Sequence, residues 1–161
     1  MNDMKKNYLK LLLVSLFLVG GLSLTSCSDK DDEELEQTIT ISQLPSQAQT
    51  FLNQYFADVK AKSIEKQYIT TIVMYKVELV NDFEIMFNSD GVWQEVDAPD
   101  NKTIPTGIAP SAIEEYVNSN YPDYGINEIN KTGEGYNVEL ISGLEMAFNE
   151  LGEFLRVISD F

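Results

Sequence analysis

Hydrolytic, group-transfer and redox chemistry all need nucleophiles, bases or metal ligands gathered in one place, and this chain is poor in them. Among its 161 residues there is no histidine and a single cysteine, Cys27. Zinc and copper sites, Ser-His-Asp and Cys-His catalysis and disulfide stapling each lack a residue they require. Carboxylates are plentiful, with 26 Asp and Glu against 11 Lys and Arg. A carboxylate pair can hydrolyse glycosides, but no acidic pair stands out here and a domain of this size offers little room for a sugar cleft. The inventory therefore reads as non-enzymatic, with no catalytic residue to name. The acidic composition permits divalent cations, calcium among them. No EF-hand spacing is present, and Asp90 and the acidic run after Cys27 are the only loose candidates. No other cofactor is implied.

Binding chemistry falls to the aromatic residues. Trp93, Tyr75 and Tyr136 are the candidate partner-binding residues, because aromatic side chains dominate interface hot spots. Each also follows a strand period, so packing in or beside a core competes with exposure as the reason for its presence. Asp58 and Asp123 each follow a predicted helix, where a turn or cap is the simplest role.

The N-terminus reads as an address rather than a fold element. Lys5, Lys6 and Lys10 precede an apolar run from Leu11 to Val19, then Gly20, Gly21 and small or hydroxylated residues up to Ser26. This is the layout of a secretory signal over residues 1–26. The run is shorter than the roughly 20 apolar residues a spanning helix needs. Leu24-Thr25-Ser26-Cys27 resembles the lipobox of bacterial lipoproteins, in which the cysteine is acylated and becomes the new N-terminus. The resemblance implies a membrane partner, held through two or more acyl chains on Cys27. Residues 27–37 then read as the lipidated cysteine and a disordered tether, since Asp29, Asp31, Asp32, Glu33, Glu34 and Glu36 repel one another. An acidic stretch in this place resembles the export signal of Bacteroidota-type lipoproteins. An outer-membrane lipoprotein is expected, periplasmic or surface-exposed.

Loss of residues 1–26, which carry three lysines and one aspartate, takes the net charge from −15 to −17. So acidic a chain disfavours nucleic acid and anionic lipid faces as partners. Cationic partners and divalent cations fit it better.

The elements that must position these residues repeat. An offset of 65 sets Pro45-Ser46 on Pro110-Ser111 and Phe51-Leu52-Asn53 on Tyr116-Val117-Asn118. An offset of 61 sets Tyr75-Lys76-Val77-Glu78-Leu79 on Tyr136-Asn137-Val138-Glu139-Leu140, Gly91 on Gly152 and Trp93 on Phe154. Four residues are thus lost from the second copy, between helix and sheet. In each copy a proline opens a stretch with apolar residues at three-and-four spacing, Ala48, Phe51, Leu52 and Tyr55, then Ile113, Tyr116 and Val117, which predicts a helix. Alternation follows: Tyr75, Val77 and Leu79 point one way, Lys76 and Glu78 the other. Asn81-Asp82, Ser142-Gly143, Ser89-Asp90-Gly91 and Leu151-Gly152 supply hairpin turns. Strands are expected near Ala61–Ile69 and Ile126–Lys131, with Tyr68 to Leu79 either two strands or one long bent strand.

The fold class is therefore α+β, a tandem repeat of one helix followed by four antiparallel strands. The two units share one antiparallel sheet with the helices on one face. A single domain is expected over residues 38–161, with repeat 1 at about 42–97, a connector at 98–107 and repeat 2 at about 108–161. Halves of about 60 residues bury only marginal cores alone.

Tyr75-Lys76-Val77-Glu78-Leu79, Phe87-Asn88-Ser89-Asp90-Gly91 and their second-copy counterparts resemble the PepSY-like family of periplasmic and surface proteins, whose fold is similar to that of the beta-lactamase inhibitory protein. The resemblance implies a non-enzymatic cell-envelope module, protein-binding or inhibitory, with a sheet face as its contact. Some relatives are thought to respond to calcium, which implies the alternative of a ligand- or calcium-responsive envelope protein. A protein-binding face predicts an exposed apolar or aromatic patch. A ligand site predicts a pocket with convergent carboxylates.

Overall fold

Alternating apolar residues and left-handed turn positions produce one long meander. The structure, a computed structural model, describes residues 35–69 and 71–159. Its strands are β1 (Leu35–Thr38), β2 (Ala61–Ile69), β3 (Ile72–Leu79), β4 (Glu84–Asn88), β5 (Trp93–Asp97), β6 (Ile126–Thr132), β7 (Gly135–Leu140), β8 (Glu145–Asn149) and β9 (Phe154–Ser159). They form one nine-stranded sheet in chain order, and every pair is antiparallel. Helix α1 (Ser46–Tyr55) precedes β2 and helix α2 (Ser111–Asn120) precedes β6. The protein is α+β.

Both helices cover the same sheet face. Phe51 of α1 meets Phe87 of β4 edge-on at 5.6 Å, and Tyr116 of α2 meets Phe148 of β8 at 5.4 Å. Val77, Ile85, Phe87, Val96, Ile129, Val138 and Phe148 all point into this layer and are buried. Ala48 and Leu52 from α1, and Ile113 and Val117 from α2, close it from above. Among the described residues no polar or charged side chain is buried. The hydrophobic effect alone holds this layer together.

The hairpin after β4 joins sheet to helix. The Asn88 side-chain oxygen accepts hydrogen bonds from the backbone N–H of Asp90 and Val92, and Asn149 does the same for Leu151 and Glu153. Gly91 then turns with φ +83°, and a Cβ there would sit 2.8 Å from the Ala48 backbone nitrogen. Only glycine serves, because the turn is left-handed and the helix N-terminus rests on it.

Several sequence expectations need correction. The tether was expected to run through Gln37, yet Leu35–Thr38 pairs with Tyr68–Glu65 as β1. Charge repulsion favours disorder only where no strand edge is within reach, and β2 offers its backbone groups here. The four missing residues are not lost between helix and sheet. Strands β2 and β3 have nine and eight residues, β6 and β7 seven and six, so the shortening is at the hairpin tip. Two residues from each strand is a change that keeps every remaining side chain on its face. Pro45 and Pro110 sit one place before the first helical turn, as N-caps. The Tyr68 to Leu79 stretch is two strands, paired as a hairpin.

Candidate functional site: an acidic row across the open sheet face

The face away from the helices carries the residues that alternate with the core. Register then stacks them. Glu78 lies opposite Glu84, Glu84 opposite Asp97, Asp97 opposite Glu128, Glu128 opposite Glu139 and Glu139 opposite Glu145. Six successive strands thus each place one carboxylate in a single line. At about 4.8 Å between strands, the line is roughly 24 Å long. Beside it, Lys76, Met86, Glu95, Asn130, Asn137 and Ala147 form a second row.

The charge is unevenly balanced along the row. At its β3 end, Lys62 pairs with Glu78, and Lys76 lies 2.8 Å from Glu84. The hydrogen bond and charge of Lys62 hold Glu78 below the usual carboxylate range. Toward the middle, repulsion takes over. Burial first, and then the carboxylates of Glu95, Asp97, Glu139 and Glu145, push Glu128 up to about 8. Glu95 is also raised, by burial and then by Glu84, with Lys76 opposing. Glu128 is therefore mostly a neutral acid at pH 7, able to donate a hydrogen bond.

A bulge makes this placement. The β6–β7 register shifts between Ile126 and Glu128, which sets Asn127 aside from the ladder. Its amide donates to the backbone oxygens of Ala98, Pro99 and Lys102, tying the connector to β6. Glu128 is left facing the open side.

A line of carboxylates spaced by the strand separation does not converge on a point. Among the described residues no group of three or more Asp, Glu, Cys or His side chains is arranged to hold a metal ion. The row matches a series of cationic side chains better than one spherical ion. Like charges placed directly opposite each other cost stability, so this face keeps an arrangement that folding alone does not favour.

The aromatic candidates lie elsewhere. Tyr75, Trp93 and Tyr136 are on the helix face, half-buried against the core. The structure brings two of them together, with the Trp93 and Tyr136 rings 6.3 Å apart and the Lys131 ammonium 4.2 Å above Trp93. Burial lowers the Lys131 pKa. Tyr75 stands apart, separated from Trp93 by the Phe87 strand. Asp90 is exposed in the β4–β5 turn. Cys27, the signal segment and most of the tether fall outside the described residues.

The family described as beta-lactamase-inhibitor-like, PepSY-like matches residues 31–85 and again 73–156. The chain belongs to the PepSY-like family. No curated protein sequence matches it. Among solved structures, it is similar to a periplasmic protein of Bacteroides thetaiotaomicron described as calcium-regulated. The two are 29% identical with a TM-score of 0.73, over 77% of this chain and 97% of that one. Two Bacteroides vulgatus proteins described as periplasmic are equally similar. One is 29% identical with a TM-score of 0.73, over 81% and 100% of the chains; the other is 30% identical with 0.72, over 78% and 99%. None of these descriptions names an enzymatic activity.

Proposed function

We propose that the protein is a non-enzymatic module of the cell envelope that binds, and thereby inhibits or tethers, a protein partner through a basic surface. The observation that carries this is the row from Glu78 to Glu145, six carboxylates in register on the sheet face opposite both helices. Repulsion within the row is relieved when cationic side chains lie along it, so partner binding and row stability are coupled. In this reading the chain is an outer-membrane lipoprotein, anchored through Cys27 and displayed on the periplasmic or outer side. Its two helix-plus-four-strand runs are copies of one unit, and Tyr75, Trp93 and Tyr136 provide a second, aromatic contact on the other face.

Affinity capture from bacterial envelope extract tests it. Asp97→Asn, Glu139→Gln and Glu145→Gln together, all in the row, should abolish retention of the partner. Asp58→Asn, Glu115→Gln and Asp123→Asn together remove the same number of acidic groups from exposed helix and turn positions and should leave it. Equal retention by both sets would exclude the acidic face, and loss with Trp93→Ala alone would move the contact to the aromatic side.

A calcium-responsive envelope protein is the second reading, supported by the description of the Bacteroides thetaiotaomicron neighbour as calcium-regulated. After an EDTA wash, millimolar calcium should then raise the unfolding midpoint by several degrees, since a ligand that binds only the native state stabilises it. An unchanged midpoint leaves the protein-binding reading alone.

A further inference from the structure

Ten large apolar side chains are exposed among the described residues, and five of them, Leu151, Phe154, Leu155, Val157 and Ile158, lie on β9 or in the turn before it. β9 is an outer strand. β8 pairs with one side of it, and no described strand pairs with the other. Exposed edges are ordinarily guarded with charge or proline, because their free N–H and C=O groups recruit further strands. This edge carries one charge, Arg156, paired with Glu134.

The same position in the first half shows what such an edge accepts. Trp93 of β5 lies opposite Phe87 and Val96 opposite Ile85, as Phe154 of β9 lies opposite Phe148 and Val157 opposite Met146. Both strands bulge after the aromatic residue, and β9 bulges a second time between Val157 and Ser159. The bulge does not close the outer side of β5, where β6 adds with Asn130 opposite Glu95, Ile129 opposite Val96 and Glu128 opposite Asp97. Covered in this way, Val96 is 0% exposed, whereas Val157 is 42% exposed. In register, where the internal strand has Glu95 and Asp97 the edge has Arg156 and Ser159, and its bulged residues are Leu155 and Ile158 where the internal strand bulges at Gln94. An outer strand more apolar than its internal counterpart reverses the usual economy of a sheet.

We propose that the outer edge of β9 takes up an extended segment of a partner protein as a tenth, antiparallel strand, apolar opposite Val157 and carrying lysine or arginine at alternating positions. Backbone hydrogen bonds supply the affinity in such strand addition, and alternate side chains supply the selection. The apolar requirement follows from the β5–β6 register, in which Ile129 covers Val96. The basic requirement follows from the net charge of −15 and from Glu150 and Glu153 beside the start of β9. A second copy would bring the same negative charge to the junction and is disfavoured. The charge half of the inference rests on the basic-partner reading above; the strand-addition half rests on exposure and register alone.

Fluorescence anisotropy with the full chain separates the two halves. A labelled alternating valine–lysine peptide should bind at physiological salt. The same peptide N-methylated at every backbone amide, with equal charge but without its donors, should bind at least tenfold more weakly. Binding should protect β9 amides from hydrogen exchange and leave β1 unchanged. Leu155→Lys with Ile158→Lys should lower the affinity by a similar factor. Equal binding of the N-methylated peptide, or protection absent from β9, overturns strand addition without needing any variant to fold. Equal binding of a valine–glutamate peptide overturns the basic occupant and counts against the basic-partner reading too. A chain that sediments as a dimer, and becomes a monomer on Leu155→Lys, assigns the edge to a second copy and overturns the proposal.

Discussion

Replacing Glu128 with glutamine should make the protein more stable at neutral pH, against the usual effect of substitution. In the folded chain, burial and the neighbouring carboxylates hold this group at about 8, whereas a free glutamate titrates near 4.5. Between those values the folded protein keeps a proton that the unfolded chain has released, so stability falls as pH rises. Each pH unit inside that window costs about 1.4 kcal/mol. At pH 7 the accumulated cost is about 3 kcal/mol, or about 2 kcal/mol when solvent screening of a half-buried group is allowed for. Glutamine keeps the shape and hydrogen-bonding capacity of the neutral acid and never ionises. Glu128→Gln should therefore gain about 2 kcal/mol at pH 7, visible as a melting temperature roughly 6 °C higher. The gain should vanish near pH 4.5 and be largest above pH 8. Urea titrations of both proteins at pH 4.5, 7 and 9 measure all three points. A variant that is neutral or destabilised at pH 7, or equally stabilised at all three pH values, would refute the electrostatic account of the row.

Two substitutions test the backbone geometry that builds the sheet. Gly135 has φ +141°, and a Cβ there would lie 2.3 Å from the Asn149 carbonyl carbon and 2.4 Å from the Phe148 oxygen. Gly135→Ala should cost about 3 kcal/mol or more, read by denaturant unfolding, because β7 and β8 must separate locally to admit the methyl. Asn127 donates to three connector carbonyls. Asn127→Ala should cost about 1–3 kcal/mol. Asn127→Asp should cost more, since a carboxylate would face three carbonyl oxygens without a donor, and an ordering of aspartate above alanine in stability would sink that reading.

Much of the architecture was legible in the sequence. Val77 and Leu79 alternating with Lys76 and Glu78 identified the two sheet faces, and Pro45-Ser46 and Pro110-Ser111 marked both helix starts to within a residue. The Phe-Asn-x-x-Gly pattern marked both helix-bearing turns, because asparagine caps and left-handed glycines are local necessities. β1 was missed because strand addition at an edge depends on a partner strand distant in sequence. The acidic row was half visible: Glu78 and Glu84 recur as Glu139 and Glu145 at the repeat offset, always between core positions. Asp97 and Glu128 had no such marker. Trp93 and Tyr136 have the side chains of a contact site, and their strand parity places them on the helix face, half-buried beside the core.

The sequence by itself determined the alternation, the turns, the helices, the lack of any histidine and the strongly negative charge. These are properties of residue type and short-range spacing. Only the tertiary structure decided that β5 and β6 lie side by side, although α2 and the connector intervene between them, and so set Asp97 opposite Glu128. That single junction turns two runs of three carboxylates into a continuous row and, by burying Glu128 beside Glu95 and Asp97, pushes it toward neutrality. The meander likewise leaves β9, with its exposed Val157, as an outer strand. Cross-strand neighbours are chosen by packing over long separations, and no period within a strand encodes them.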